Sequence, residues 1–177
     1  MRNLFLLSLL ILLTRCTSND KAVEEKSTFQ RLKCYFFFIS DCPASRNNLP
    51  KIQYLSKKYA NQVDFVGLVS DPYLDSIELS STLEELSISF RIQLDTNLLI
   101  ARKQGAKITP EVFLYDSDNK LIYSGSVDNY FYALGKHRKV ITQHHLADAI
   151  KNTFSRKVVH PKHTKPFGCS INYNTKY

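Results

Sequence analysis

Two stretches of this chain, residues 33–40 (Lys-Cys-Tyr-Phe-Phe-Phe-Ile-Ser) and residues 63–69 (Val-Asp-Phe-Val-Gly-Leu-Val), are dense in aromatic and β-branched side chains, and both end at turn signals. Short apolar runs of this kind suit buried strands of a sheet covered by helices on its faces. The residues after the first run sharpen the constraint. Leu49, Ile52, Leu55 and Tyr59 recur at helical spacing, so the first strand passes into a helix, and Cys42-Pro43 falls at the junction between them.

The remaining elements alternate in the same way. Asp71-Pro72 breaks the chain after the second strand, and Asp75 with Glu78 three residues on resembles a capping pair for a helix carrying Ile77, Leu79, Leu83 and Leu86. Residues 90–94 form a short strand candidate. Thr96 is placed to cap a helix carrying Leu98, Leu99 and Ala101, which Gly105 ends. Residues 112–115 and 121–124 flank Asp116-Ser117-Asp118-Asn119 and read as a β-hairpin. An amphipathic helix follows Thr142, with Leu146, Ala149, Ile150 and Phe154 on one side. The order β-α-β-α-β-α-β-β-α predicts an α/β protein: a central mixed β-sheet flanked by helices, with right-handed crossovers and an antiparallel edge from the late hairpin. This order resembles the thioredoxin-like fold.

At 177 residues the chain has room for one such domain and short extensions. We place the domain at residues 33–155, leaving 128–141 as a long connection and 156–177 as a basic C-terminal tail. The formal charge is +8, concentrated in Lys136, Arg138, Lys139 and the tail, where no acid follows Asp148. Without a nucleic-acid-binding motif, this excess reads as a solvated basic face, and no nucleic-acid partner is expected. Residues 1–15 read as a signal segment: Arg2 precedes the apolar run 4–13, which is too short to span a bilayer. Leu13-Thr14-Arg15-Cys16 resembles a bacterial lipobox, although Arg15 replaces the usual small residue. The expectation is an exported protein of the bacterial cell envelope, lipidated at Cys16 and held to a membrane through that anchor, with residues 16–32 as a flexible tether. Outside the cytoplasm, disulfides persist, and Cys34, Cys42 and Cys169 are left for redox chemistry or packing.

A Cys between a buried strand and a helix N-terminus lies where backbone N–H groups and the helix dipole favour a thiolate. Cys42 meets that description, and Pro43 suits the first helical turn because its missing N–H has no partner to lose there. Thr109-Pro110 lies just before the hairpin strand, the position in which the thioredoxin fold carries a cis-proline. There the turn stands beside the reactive Cys, and the Thr109 backbone is available to hold a partner chain in extended form. Pro43, Thr109 and Pro110 are the candidate substrate-binding residues.

The stretches Phe38-Ile39-Ser40-Asp41-Cys42-Pro43 then Pro50, Gly105-Ala106 with Thr109-Pro110-Glu111-Val112-Phe113, Tyr123-Ser124-Gly125-Ser126-Val127-Asp128, Gly135 with Arg138, and the tail Thr164-Lys165-Pro166-Phe167-Gly168-Cys169-Ser170-Ile171 resemble the thioredoxin-like redoxins of the alkyl hydroperoxide reductase and thiol-specific antioxidant superfamily. The tail is similar to the Thr-x-x-x-Gly-Cys-x-Ile ending of an exported bacterial branch. The resemblance implies thiol chemistry on protein or small-molecule thiols and disulfides, fed by an upstream redox donor and needing no cofactor. Two departures narrow it. Ser45 stands where a thioredoxin carries its second thiol, and Ile39 where a peroxiredoxin carries Thr three residues before its peroxidatic Cys. Thiol-disulfide exchange is therefore favoured over peroxidase activity.

With Ser45 unable to resolve a mixed disulfide, Cys169 is the candidate second catalytic thiol, on a segment long enough to fold back. The alternatives are a free thiol or a bond to a partner protein. Cys34 reads as a small apolar core residue. His160, His163, Cys169 and Cys42 together offer a copper or other soft-metal grouping, and this underlies the alternative function, a non-catalytic docking or copper-delivery protein; no metal site is assigned. Asp128 and Arg138 match the family pattern, and they could equally pair with each other structurally.

Overall fold

The computed structural model describes residues 31–174. The signal segment, Cys16 and nearly all of the tether lie outside the described residues.

Strand β1 (Leu32–Phe38) leads into helix α1 (Pro43–Lys58), then β2 (Val63–Val69), α2 (Ser76–Glu85), β3 (Arg91–Leu94), α3 (Leu99–Gln104), β4 (Ile108–Thr109), β5 (Glu111–Tyr115) and β6 (Leu121–Gly125). The small strands β7 (Phe131–Ala133) and β8 (Lys136–His137), helix α4 (His145–Phe154) and strand β9 (Cys169–Ser170) complete the chain. The main sheet has the order β3-β2-β1-β5-β6. β1, β2 and β3 run parallel, while β5 is antiparallel to β1 and to β6. This is the mixed α/β thioredoxin-like sheet anticipated from the order of elements.

β1 lies in the middle of the sheet, and its aromatic run supplies both faces. Cys34, Phe36 and Phe38 pack with Leu49 and Ile52 of α1 and with Leu146 and Ile150 of α4. Phe37, on the opposite face, packs with Leu98, Ala101, Phe113 and Ile171, as the two-residue period of a strand requires. All three Phe residues are fully buried, and truncating any one of them to Ala costs about 3–5 kcal/mol. The first strand thus fixes where α1 begins, and so where Cys42 stands.

Several local expectations shift. α3 begins at Leu99, three residues beyond Thr96, and the buried Asp95 carboxylate accepts hydrogen bonds from the N–H groups of Ile100 (2.9 Å) and Ala101 (2.8 Å). Leu98 enters the helix at φ 59°, a left-handed conformation costing about 1–2 kcal/mol in a non-glycine residue, which burial of its side chain offsets. The final helix follows Thr142 as expected but begins only at His145, and Thr142 itself is tied to Asn129: its N–H donates to Asn129 Oδ1 and its hydroxyl accepts from Asn129 Nδ2. The long connection is partly ordered as the β7-β8 ribbon. The tail packs into the domain, with Ile171 in the second core and Thr164 against β6.

Candidate active site

Cys42 is the N-cap residue of α1, with Pro43 in the first turn behind it. The turn that delivers it is braced from within. Cys42 N–H donates to the Ile39 carbonyl (3.3 Å), and Ile39 N–H donates to Ser45 Oγ (3.4 Å). Ser45, fully buried, therefore holds the Cys42 turn. The sulfur of Cys42 stands at the positive end of α1, where negative charge is favoured.

The Thr109-Pro110 peptide bond is cis. It carries Thr109 to the other side of the site, its carbonyl oxygen 3.4 Å from Cys42 Sγ. Glu111 holds this turn from behind: its carboxylate accepts from Lys107 N–H (2.9 Å) and Ile108 N–H (3.4 Å). Burial raises the Glu111 pKa above its ordinary value, outweighing the downward pull of those two hydrogen bonds.

The strand position beside Thr109 is filled by the chain's own tail. β9 pairs antiparallel with β4, with Thr109 opposite Cys169 and Ile108 opposite Ser170. Thr109 Oγ1 donates to the Cys169 carbonyl (3.3 Å). In this register Cys169 and Cys42 are joined as a disulfide, with 6.1 Å between their Cα atoms. Gly168 permits the approach, since a Cβ there would stand 2.0 Å from the Thr109 carbonyl oxygen.

The tail is pinned on both sides of the disulfide. Upstream, Tyr123 OH reaches Thr164 Oγ1 and donates to the Ser126 carbonyl, and burial pushes the Tyr123 hydroxyl up to about 12. At Gly125, φ is +128° and any Cβ would collide with the Thr164 backbone. Downstream, Ile171 N–H donates to the Lys107 carbonyl, Tyr173 OH donates to the Ala106 carbonyl, and Arg102 donates to the Tyr173 carbonyl (2.9 Å).

Cys34 is fully enclosed on β1, and burial alone pushes its thiol far up, so it is neutral and unreactive. Asp128 and Arg138 do not pair with each other. The almost wholly buried Asp128 carboxylate takes Lys51 Nζ (2.8 Å) and Tyr130 N–H (2.8 Å), while Arg138 Nε donates to the Asn129 carbonyl (3.0 Å). His163 Nδ1 stands 2.9 Å from Ser124 Oγ. Among the described residues, no three His, Cys, Asp or Glu side chains converge as metal ligands. Beside the tail, a cleft of about 550 Å³ opens between Asp128, Arg138, His145, His160 and Phe167, and neither sulfur lies on its wall.

The sequence singled out Glu111, Tyr123 and Thr164 only as parts of the redoxin-like stretches, with no supporting role attached, and it did not single out Lys51. Glu111 had a local signal, a carboxylate directly after the Thr-Pro turn, whereas the Lys51–Asp128 and Tyr123–Thr164 pairs join residues too far apart in the chain for spacing to reveal.

The fold recurs among solved structures. An uncharacterised conserved protein from Geobacillus kaustophilus superposes with a TM-score of 0.71 at 21% identity, over 84% of this chain and 80% of that one. A hypothetical protein from Sinorhizobium meliloti gives 0.72 at 22% identity, over 83% and 82%. A secreted Mycobacterium tuberculosis disulfide oxidoreductase, described as homologous to E. coli DsbE, gives 0.53 at 15% identity, over 69% and 81%. No curated protein sequence matches the chain significantly. Residues 8–134, well over half of the chain, match the sequence profile of the Redoxin family. With a thioredoxin-like sheet, a Cys at the start of α1 and a cis-proline turn against its sulfur, the chain belongs to the Redoxin family.

Proposed function

We propose that this protein is a thiol-disulfide oxidoreductase of the bacterial cell envelope, cycling Cys42 and Cys169 between disulfide and dithiol. The observation that carries the reading is the pairing of these two sulfurs across the cis Thr109-Pro110 turn at the N-terminus of α1. A disulfide placed there has one sulfur whose anion the helix favours on release, which is what exchange requires of a leaving group. Ile39, in place of a peroxide-polarising Thr, favours disulfides over peroxides as substrates.

The partners are protein or small-molecule thiols and disulfides, with reducing equivalents drawn from an upstream thiol donor. Pro43, Thr109 and Pro110 frame the site at which a partner meets the disulfide. Export on the 1–15 segment and lipidation of Cys16 would keep the domain at a membrane, on the 16–32 tether. The secreted disulfide oxidoreductase among the structural neighbours is in keeping with export, though it shares only the fold.

The test is turnover. With a thiol donor in excess, the protein should catalyse reduction of a model protein disulfide, and Cys42→Ser should abolish it. Unchanged turnover in Cys42→Ser would overturn the enzymatic reading. Intact mass of the protein recovered from bacterial membranes reports on lipid at Cys16.

A further inference from the structure

The two sulfurs of the disulfide differ in access. Cys42 is 1% exposed; it lies beneath the tail, with the Thr109 carbonyl 3.4 Å from its sulfur. Cys169 is only partly buried, on the short strand β9 that pairs with β4 opposite Thr109. Exchange is an in-line displacement, in which the attacking sulfur approaches along the S–S axis from the side opposite the departing one. It therefore depends on which sulfur can be reached from beyond, as well as on which leaves better. Cys42, almost wholly buried, offers an incoming thiolate next to no surface. The partly exposed Cys169 offers more.

Resting on the thiol-disulfide reading above, we propose that Cys169 is the sulfur through which electrons enter, and that Cys42 is the leaving group. In the first step a donor thiolate forms a bond to Cys169 Sγ, the Cys42–Cys169 bond breaks, and its electron pair departs on Cys42 as a thiolate at the positive end of α1. In the second step another donor thiolate, or the second thiol of a dithiol donor, attacks the donor sulfur of the mixed disulfide. That releases the oxidised donor and leaves Cys169 as a thiolate, which takes up a proton from solvent. The sum is two electrons moved from two donor thiols to one protein disulfide.

Access and leaving-group ability select the same sulfur. Had the outer cysteine been the one at the helix N-terminus, the two would have opposed each other. The pinning of the tail at Thr164 and at Ile171 keeps the Cys169 adduct beside Cys42 between the two steps. By microscopic reversibility, the reduced protein forms its mixed disulfide with such a partner on Cys169 as well, and Cys42 closes the ring. The buried cysteine at the helix is then the resolving thiol and the tail cysteine the outer nucleophile. This inverts the order suggested by sequence, in which Cys42 attacks and Cys169 resolves.

The test uses the oxidised wild-type protein. A substoichiometric pulse of reduced glutathione is quenched with acid within the first turnover, free thiols are then blocked with N-ethylmaleimide, and the peptides are mapped by mass spectrometry. The expected result is nearly all of the glutathione on the Cys169 peptide, with the maleimide on Cys42. Glutathione on Cys42 with maleimide on Cys169, or an even division between them, overturns the proposal while leaving the oxidoreductase reading intact. If neither glutathione nor a dithiol reduces the Cys42–Cys169 bond at all, the underlying reading fails, and this assignment with it.

Discussion

Gly168→Ala tests how closely the tail must approach the Thr109 turn for the site to close. A Cβ at this position would stand 2.0 Å from the Thr109 carbonyl oxygen and 3.0 Å from Pro110 Cδ. Side-chain carbons are not found closer than about 3 Å to a carbonyl oxygen, so the tail must withdraw by about 1 Å. The Cα atoms of Cys42 and Cys169 are 6.1 Å apart. A withdrawal of that size at the neighbouring Cys169 takes the separation to about 7 Å, beyond the roughly 4.4–6.8 Å that a disulfide spans. The bond closes a loop with a sequence separation of 127, for which chain entropy gives an upper limit of about 5 kcal/mol of stabilisation.

The wild-type protein should therefore unfold in urea with a free energy up to about 5 kcal/mol larger when oxidised than when reduced. Gly168→Ala should show almost no difference between the two conditions. After treatment with an oxidising dithiol buffer, mass tagging of thiols should find Cys42 and Cys169 free in the variant and joined in the wild type. Comparable circular dichroism of the two reduced proteins would establish that the variant is folded. If Gly168→Ala forms the disulfide as completely as the wild type and keeps the same gap in stability, the steric argument is wrong.

Three further outcomes are expected. Glu111 has its pKa raised above 4.5 by folding, so its contribution to stability is present in full below about pH 4.5 and is lost as pH rises through the folded value; Glu111→Gln, which imitates the protonated carboxyl, should flatten the decline of the urea midpoint above that pH, and an unchanged slope would refute the account. Lys51→Met strips the Asp128 carboxylate of its cationic partner, leaving the Tyr130 N–H, and should cost about 2 kcal/mol, less than a fully buried pair because Lys51 is partly exposed; a loss below about 0.5 kcal/mol would mark the pair as inconsequential. Cys34→Ala should lower stability by about 1 kcal/mol through a small cavity and leave disulfide reduction intact; loss of activity in a folded variant would show that Cys34 takes part in exchange.

The parts of the site readable in sequence are those whose signal is local. Cys42 stands between an unbroken aromatic strand and a helix with apolar positions at Leu49, Ile52 and Leu55, and all three face the core. The Asp75 cap lies within four residues of the N–H groups it satisfies, at Ile77 and Glu78, and forms as its spacing predicts. α3 resists the same treatment because Leu98 turns through a left-handed conformation, which moves the helix start to Leu99 and brings Asp95 within reach of Ile100 and Ala101. The ribbon β7-β8 has only three and two residues in its strands, too few to set up an alternating pattern. Lys51 meets Asp128 across 77 residues of chain, and only the packing of α1 against the 128–143 connection decides that Asp128 finds a lysine and not Arg138. The Gly-Cys sequence of the tail marks it as a candidate, but its strand register opposite Thr109 depends on a pairing across 60 residues of chain that no local spacing reveals.

The bond between Cys42 and Cys169 turns most of the polypeptide into a ring. Chains are made from the N-terminus, so the first of these cysteines exists long before the second, which lies 127 positions further on. Until then Cys42 has no lid and is open to whatever thiol or disulfide it meets. A chain that stops before Cys169 can complete the main sheet and every helix, yet it can never close that bond. The ring thus separates finished from unfinished molecules by a covalent criterion: one class withholds its buried cysteine, and the other keeps presenting it.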